Sequence, residues 1–321
     1  MTIFVFGNSC QYSFSFFCLL VTNFAIVITA LPYEFGVSIL TALKVIPIAG
    51  ALGAEVTGVD LSEPIGQQCA ADINQAFLDH LVLSFPNQSM NPASLLKLTQ
   101  DLGGVGETPY LTGLYEFPDV VPIIKEATEK SALTFGAGWH TDFTFQAHPP
   151  SKTILYAVEV PPAGGDTLYT NLYRAYDALS EGMKVMLNGM TALHSAVRSY
   201  GPNATLKDQM EAMTINNATS MPDLMEHPVI RTHPETGKKA LWINPVYTIR
   251  FKDMTEAESS PILKYLNDLI TNPSFTCRVA WQAGTLTMWD NRCTQHCATS
   301  DYYGHRREML RTTVAGDRPF Y

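Results

Sequence analysis

The chain has 321 residues, of which 46% are hydrophobic and 16% charged, a composition typical of a globular protein with a sizeable core. Its formal net charge of −9 argues against a nucleic-acid partner, because proteins that bind a phosphate backbone usually carry a basic surface. The six cysteines include no C-x-x-C pair, which favours free thiols in a reducing compartment and predicts a cytoplasmic protein.

The N-terminal segment carries no charged side chain before Glu34. Residues 14–31 are apolar over a length that spans most of a bilayer. No basic residue precedes them, so the charged start of a signal peptide is missing, and Lys44 comes too late to indicate an orientation. Three interpretations remain open: a membrane anchor that contacts the membrane through residues 14–31, an uncleaved targeting segment, or an extension from a misassigned start. We favour the misassigned start. We expect an N-terminal extension over residues 1–42 and one domain over 43–321.

The rest of the chain alternates short β-like stretches with a few helical ones. Helical patterns cover residues 70–83, 92–103, 171–190 and 261–270. β-like patterns cover residues 43–65, 152–162, 163–171, 284–292 and 306–314. The polar stretch 201–225 has no clear period, as is common in binding loops. Many short strands and few helices predict a mainly β fold with peripheral helices, a sandwich or barrel.

A candidate metal site begins in the stretch GWHTDFTF at residues 138–145. Side chains two apart in a strand point to the same face, so His140 and Asp142 are expected to converge. Alone, such a pair is more often a polar strand edge. His296, which follows the strand-like GTLTMWDNR, offers a third ligand. Two imidazoles and one carboxylate form the arrangement of non-heme Fe(II) oxygenases.

Two arginines lie four positions apart in the last predicted strand. Arg307 and Arg311 share a face there, so both guanidinium groups should point into one cavity. A planar guanidinium matches the two oxygens of a carboxylate. A metal together with an inward arginine suits a keto acid that chelates the metal at one end and is anchored at the other.

Five segments resemble the TauD/TfdA family of Fe(II)/2-oxoglutarate-dependent dioxygenases, from about Leu43 to Tyr321. They are GAEVTGVDLSEPI, WHTDFTF, PPAGGDTLYTN, WDNRCTQH and RREMLRTTVAGDRPFY. The resemblance implies a double-stranded β-helix, or jelly roll, that uses Fe(II), 2-oxoglutarate and O2. The implied reaction hydroxylates a small organic acid, a sulfonate or carboxylate, and releases succinate and CO2. A homo-oligomer is compatible with the resemblance.

The resemblance also implies a role for each candidate residue. The iron ligands are matched by His140, Asp142 and His296. Thr167 matches a hydroxyl that binds 2-oxoglutarate, and Arg307 matches the arginine that pairs with its distal carboxylate. Positions that contact the substrate are matched by Arg311, Phe143, Phe145 and Tyr247.

The chain departs from the taurine-using pattern at two places. Glycines, Gly136 and Gly138, stand where an asparagine is expected before the H-x-D motif, and no histidine occurs between Gln100 and Phe135. We therefore expect a more apolar pocket and a substrate other than taurine. A redox-silent metal hydrolase and a non-catalytic binding protein on the same fold are the alternatives. A keto-acid anchor has no evident use in hydrolysis, and the complete ligand set argues against a decayed site.

Overall fold

The computed structural model describes residues 15–22, 25–32, 43–219 and 224–321. The chain forms two compact units, Met1–Thr41 and Ala42–Tyr321. In the first unit, β1 (Ser15–Thr22) and β2 (Ala25–Pro32) pair antiparallel. No helix among these described residues is long and apolar enough to cross a membrane. The other residues of the predicted N-terminal extension, and residues 220–223 of the polar stretch, lie outside the described residues.

Short strands dominate the second unit, as predicted. They are β3 (Lys44–Pro47), β4 (Ala54–Thr57), β5 (Val82–Phe85), β6 (Val121–Lys125), β7 (Lys152–Glu159), β8 (Thr167–Asn171), β9 (Thr191–His194), β10 (Met225–Pro228), β11 (Ile230–Thr232), β12 (Lys239–Leu241), β13 (Thr248–Phe251), β14 (Thr276–Val279), β15 (Leu286–Asp290), β16 (Thr294–Ala298) and β17 (Arg307–Val314). The helices are α1 (Gln67–His80), α2 (Pro92–Asp101), α3 (Leu172–Asp177), α4 (Glu181–Leu187), α5 (Val197–Tyr200), α6 (Leu206–Gln209) and α7 (Glu256–Ile270), with a 3₁₀ turn at Pro273–Phe275.

Helix ends differ from the predicted ranges for local reasons. The stretch 70–83 stops being helical at His80 because Leu81 adopts left-handed backbone (φ 65°) and the chain then enters β5. The stretch 171–190 forms two helices, α3 and α4, instead of one. α7 starts before the predicted residue 261 because Thr255 and Glu258 form a capping box at its N-terminus.

The strands form a seven-stranded sheet in the order β3-β4-β5-β15-β7-β17-β6, and β14-β8-β16 form a second sheet. A further three-stranded sheet has the order β10-β9-β13, and β11-β12 form a two-stranded sheet. Strands carrying candidate residues come from the first two sheets: β17 belongs to the seven-stranded sheet, and β8 and β16 belong to the sheet β14-β8-β16. The mainly β fold with peripheral helices is confirmed.

The two faces of the seven-stranded sheet bury different cores. On one face, Ile154 and Leu310 pack in a cluster with Phe77 of α1 and Leu95 of α2. On the other face, a second cluster joins side chains of this sheet to the opposing sheet, among them Leu155, Met309, Tyr169 and Cys277. Successive strand residues alternate between the two clusters, as the pleat requires. Odd-numbered positions of β17 therefore face the interior between the sheets, where the candidate site lies.

Candidate active site

The two candidate histidines are held together by their own backbones. His140 donates its N–H to the carbonyl of His296 (3.0 Å), and His296 donates back to the carbonyl of His140 (2.8 Å). The ring centroids are consequently only 4.1 Å apart. His296 sits in β16, whereas His140 forms only an isolated bridge to it. The pairing brings two imidazoles to one point from distant parts of the chain.

Asp142 reaches the same point through a turn, so the predicted extended stretch is wrong after His140. Residues 142–145 form turns, and Phe143 has a φ of +48°, a backbone conformation that phenylalanine rarely adopts. The turn brings an Asp142 oxygen, Oδ1, to 3.7 Å from His140 Nε2. The convergence that strand periodicity predicted is present, but a strained turn produces it.

The three side chains suit a divalent metal in both geometry and protonation. Their ligand atoms lie within 4.8 Å of one another and all three residues are buried. The Nδ1–H of His140 donates a hydrogen bond to the carbonyl of Gly138 at 2.7 Å, so the other ring nitrogen, Nε2, is available to bind a metal. Burial lowers the pKa of His296 well below its usual value, so this imidazole is neutral.

The carboxylate is ionised despite its burial. Burial by itself raises the pKa of Asp142, but the charge of the Arg311 guanidinium and a hydrogen bond from His140 hold this pKa well below its usual value. Metal ligands must be deprotonated, so the ionised carboxylate of Asp142 and the neutral imidazole of His296 match what Fe(II) requires. The residues present therefore fit the iron site that the sequence predicted.

The cosubstrate candidates line the same cavity as the three ligands. Arg307 is only 3% exposed, and its guanidinium lies between the rings of Trp281 and Tyr302, at 5.9 and 6.0 Å. Its Nε has no hydrogen-bond partner in the described structure. Thr167 accepts a hydrogen bond from Trp281 Nε1 at 3.0 Å, so its own hydroxyl proton remains free to donate. A buried cation beside a free hydroxyl donor suits a carboxylate.

Arg311 also faces this cavity, as the strand spacing predicted. Its guanidinium carbon lies 4.8 Å from the centre of the Phe143 ring, and its Nη2 lies 3.0 Å from Asp142 Oδ1. Neither terminal nitrogen makes a hydrogen bond of good geometry among the described residues. The Arg311 guanidinium thus lies over an aromatic ring and has donors available for a ligand.

A second cavity shares His140 with the first and is lined by further aromatic and aliphatic side chains, including Tyr200, Leu206, Val246 and Tyr247. Tyr247 occupies this cavity wall as expected. Phe145 packs against Tyr247, with the two ring centroids 5.0 Å apart. Tyr110 stacks on Tyr200 at 4.9 Å. Sequence reasoning missed both of these tyrosines, since they lie in loops and at a helix end where no periodicity marks a buried face.

A second buried group of metal-binding residue types was also missed. His233, Asp290 and Cys293 offer ligand atoms within 4.8 Å of one another. Arg292, however, holds both oxygens of Asp290 through Nε (2.8 Å) and Nη2 (2.7 Å). His233 Nε2 lies 3.1 Å from the same carboxylate, while its Nδ1 accepts a backbone N–H from Glu235 at 3.2 Å. The carboxylate is thus satisfied by cationic and neutral donors, so we assign this cluster a structural role.

Comparison with known proteins agrees with the geometry. A family model described as taurine catabolism dioxygenase TauD, TfdA family matches residues 44–313. An alkylsulfatase from Acinetobacter baylyi is 31% identical over 277 residues, covering 86% of this chain and 86% of the relative. An alpha-ketoglutarate-dependent sulfate ester dioxygenase from Pseudomonas putida is 32% identical over 287 residues, covering 86% of this chain and 91% of the relative.

The fold agrees as well. The crystal structure of a taurine dioxygenase from Burkholderia xenovorans matches with a TM-score of 0.72 at 31% identity, covering 87% of this chain and 93% of that one. The predicted double-stranded β-helix is confirmed, and neither alternative function finds support. The chain uses Fe(II), 2-oxoglutarate and O2. It is a 2-oxoglutarate-dependent, non-heme iron dioxygenase that belongs to the TauD, TfdA family.

Proposed function

We propose that the chain hydroxylates an organic acid whose anionic group binds Arg311 and whose apolar body occupies the aromatic cavity beside His140. One observation carries the proposal: the three ligands, the cosubstrate candidates Thr167 and Arg307, and Arg311 all line a single buried cavity. Under this proposal His140, Asp142 and His296 hold the iron.

Each residue has a separate task in the proposed mechanism. Bound iron, with O2 and 2-oxoglutarate, supplies the oxidising chemistry. Thr167 and Arg307 orient the distal carboxylate of 2-oxoglutarate, the threonine through its free hydroxyl proton and the arginine through its charge. The ring of His140 is fixed by its Nδ1–H bond to Gly138, so the ligand keeps one orientation throughout turnover.

The substrate end is defined by one cation and several rings. Arg311 is buried, yet its terminal nitrogens make no hydrogen bond of good geometry in the described structure, so an incoming oxyanion has donors available. Beside His140, Tyr200 and Tyr247 are buried, and burial raises the pKa of Tyr200 to about 12, so its phenol stays neutral. Neutral aromatic walls favour an apolar body over an ammonium group.

We propose alkyl sulfates, alkanesulfonates or hydrophobic carboxylates as the substrate class. The named relatives include an alkylsulfatase and a sulfate ester dioxygenase, which supports a sulfur oxyanion on a hydrocarbon body. In an alkyl sulfate, hydroxylation of the carbon that bears the ester oxygen inserts one oxygen atom into its C–H bond. The hydroxylated ester then breaks its C–O bond to give an aldehyde and sulfate.

A substrate panel tests this proposal by succinate release. It comprises hexyl sulfate, hexanesulfonate, taurine, an aryloxyalkanoate and a hydrophobic amino acid, with 1-hexanol as an uncharged match for hexyl sulfate. We expect a hydrophobic anion to exceed taurine, and 1-hexanol to fail because it has no oxyanion to accept hydrogen bonds from the terminal nitrogens of Arg311. Taurine as the best substrate by an order of magnitude, or equal turnover of 1-hexanol, would contradict the pocket assignment.

We also propose that the enzyme works in the cytoplasm and that residues 1–42 are an extension dispensable for the catalytic domain. The described cysteines, namely Cys69, Cys277, Cys293 and Cys297, are all free thiols, which suits a reducing compartment. A homo-oligomer is compatible with this proposal, and membrane contact would follow only if residues 14–31 form an anchor. Light scattering of the purified protein and fractionation of cells expressing the full chain test them.

A further inference from the structure

The second oxygen of Asp142 is held by a threonine from the neighbouring strand. Thr153, near the start of β7, donates its hydroxyl to Asp142 Oδ2 at 2.6 Å. Thr153 is fully buried and Asp142 is 4% exposed, so water does not compete for this contact. The other carboxylate oxygen, Oδ1, faces His140 and Arg311.

The direction of this hydrogen bond is set by a tryptophan. Trp289 Nε1 can only donate, and it donates to Asn291 Oδ1 at 3.1 Å. The amide of Asn291 must therefore present its Nδ2 to Thr153, which it does at 2.8 Å. Because the oxygen of Thr153 already accepts from this amide, its single proton is directed at Asp142. The chain of donors runs one way, from indole to amide to hydroxyl to carboxylate.

Strand pairing brings together the three residues of this hydrogen-bond relay, which are Trp289, Asn291 and Thr153. Thr153 lies directly opposite Trp289 in the pairing of β7 with β15. Asn291 follows immediately after β15 and is 1% exposed. The ring of Trp289 also lies 4.6 Å from the ring of His296. The indole of Trp289 thus packs against His296. Through Asn291, its N–H also orients the Thr153 hydroxyl that binds Asp142.

Arg311 competes with the metal site for the Asp142 carboxylate, and the Thr153 hydrogen bond opposes this competition. An arginine fork prefers to bind both oxygens of a carboxylate, and Nη2 of Arg311 already lies 3.0 Å from Asp142 Oδ1. Without the Thr153 hydroxyl, Oδ2 would lose its donor in a buried site, and rotation of the carboxylate onto the guanidinium would satisfy it. That rotation would withdraw Asp142 from the metal and occupy the donors that we assign to the substrate.

We propose that Thr153, oriented by Asn291 and Trp289, is a positioning residue that keeps Asp142 as a single-oxygen metal ligand and keeps Arg311 available to substrate. The inference rests on the proposed ligand set of His140, Asp142 and His296. Under this inference Thr153 does not contact the metal itself, but it determines which oxygen of Asp142 binds the metal.

Metal binding to the metal-free protein tests the relay independently of turnover. Thr153→Val keeps the shape and removes the hydroxyl, whereas Thr153→Ser keeps the hydroxyl. Titration with Co(II), followed by calorimetry and by the visible absorption of the bound ion, gives affinity and coordination. Loss of an outer hydrogen bond to a metal ligand typically weakens binding about 10–100-fold. We expect that weakening and a changed spectrum in Thr153→Val, and near wild-type behaviour in Thr153→Ser.

Thr287→Val is the matched control, because Thr287 is a fully buried threonine of β15 whose hydroxyl donates to Ser84 at 3.3 Å. It should bind Co(II) as the wild type does. Unchanged affinity and spectrum in Thr153→Val, with Asp142→Ala unable to bind, would overturn the relay and leave the ligand set standing. Binding that survives in Asp142→Ala would instead refute the ligand set. If Thr153→Val does not fold, Thr153→Ala and Thr153→Ser give the same comparison, because only the serine variant keeps the hydroxyl.

Discussion

Replacing Arg307 by alanine should raise the concentration of 2-oxoglutarate needed for turnover more than any other change outside the metal ligands. The side chain is 3% exposed and sits between the rings of Trp281 and Tyr302. Burial lowers the pKa of Arg307, yet a guanidinium remains charged in proteins, so the site holds a desolvated cation. A distal carboxylate of the cosubstrate is the counterion that this cation lacks.

The size of the effect follows from the burial. Truncating one partner of a buried, hydrogen-bonded charge pair costs about 2–5 kcal/mol, because the other charge is left buried and unpaired. At 1.4 kcal/mol for each factor of ten, this corresponds to roughly 30-fold to several thousand-fold weaker binding. Thr167 retains its hydroxyl donor in the variant, which keeps the loss below complete failure to bind. Arg307→Lys should recover part of the loss, since an ammonium keeps the charge but not the fork.

The neighbouring arginine offers a matched control. Arg306 lies immediately before β17, does not line the cavity, and pairs with Glu126 (3.0 Å), Glu159 (2.6 Å) and Glu308 (2.8 Å). Arg306→Ala removes the same side chain one position away, and exposed ion pairs contribute only about 0–1 kcal/mol each. Half-saturation by 2-oxoglutarate, measured as succinate release and by anaerobic calorimetry, should shift in Arg307→Ala and stay within about twofold in Arg306→Ala. Equal half-saturation in a folded Arg307→Ala variant would refute the assignment.

Three further predictions address the metal, the core and the N-terminus. His140→Ala and Asp142→Ala should lose Fe(II) affinity in equilibrium dialysis, and full iron-dependent turnover in either variant would exclude the triad. In the wild type, Zn(II) or Co(II) should occupy the metal site and inhibit turnover. Burial lowers the pKa of His227 to about 4 from 6.5. The unfolded chain therefore gains a proton first as pH falls, and His227 should account for about 3 kcal/mol of the stability that the metal-free protein loses in urea unfolding between pH 6.5 and 4. His227→Gln should make that dependence shallower by this amount, while His194 and His296, whose pKa values burial also lowers, keep the remaining slope. An equally steep profile in this variant would exclude His227 as a titrating group. Deleting residues 1–40 should leave a soluble, active enzyme, whereas loss of folding on deletion would favour a structural segment.

Features governed by a local period were predictable from the sequence. The spacing of Arg307 and Arg311 on a strand placed both in one cavity, and the structure confirms it because every second residue of β17 faces the interior. The start of α2 at Pro92 was predictable for the same local reason, since proline suits the first turn of a helix. Such signals depend on a few neighbouring residues and need no knowledge of the fold.

Features governed by register between distant strands were not predictable. The contact of Thr153 with Asp142 depends on how β7 pairs with β15, and no residue near Thr153 in the sequence signals it. The turn at Phe143 was missed because the H-x-D pattern suits a strand and a strained turn equally, and the choice between them is made by the surrounding fold. The aromatic wall formed by Tyr110 and Tyr200 likewise depends on loops that meet only in the folded protein.

The reciprocal backbone bonds between His140 and His296 have a consequence for how the enzyme acquires its metal. These residues lie far apart in sequence, one before β7 and the other in β16, and joining such distant segments carries a large loop-closure entropy. On a ribosome the chain emerges from its N-terminal end, so His140 is synthesised well before His296. Of the three proposed ligands, only His140 and Asp142 are then present, and His296 joins them once β16 pairs with β8. We therefore expect iron to bind only after the strands of the second sheet have assembled.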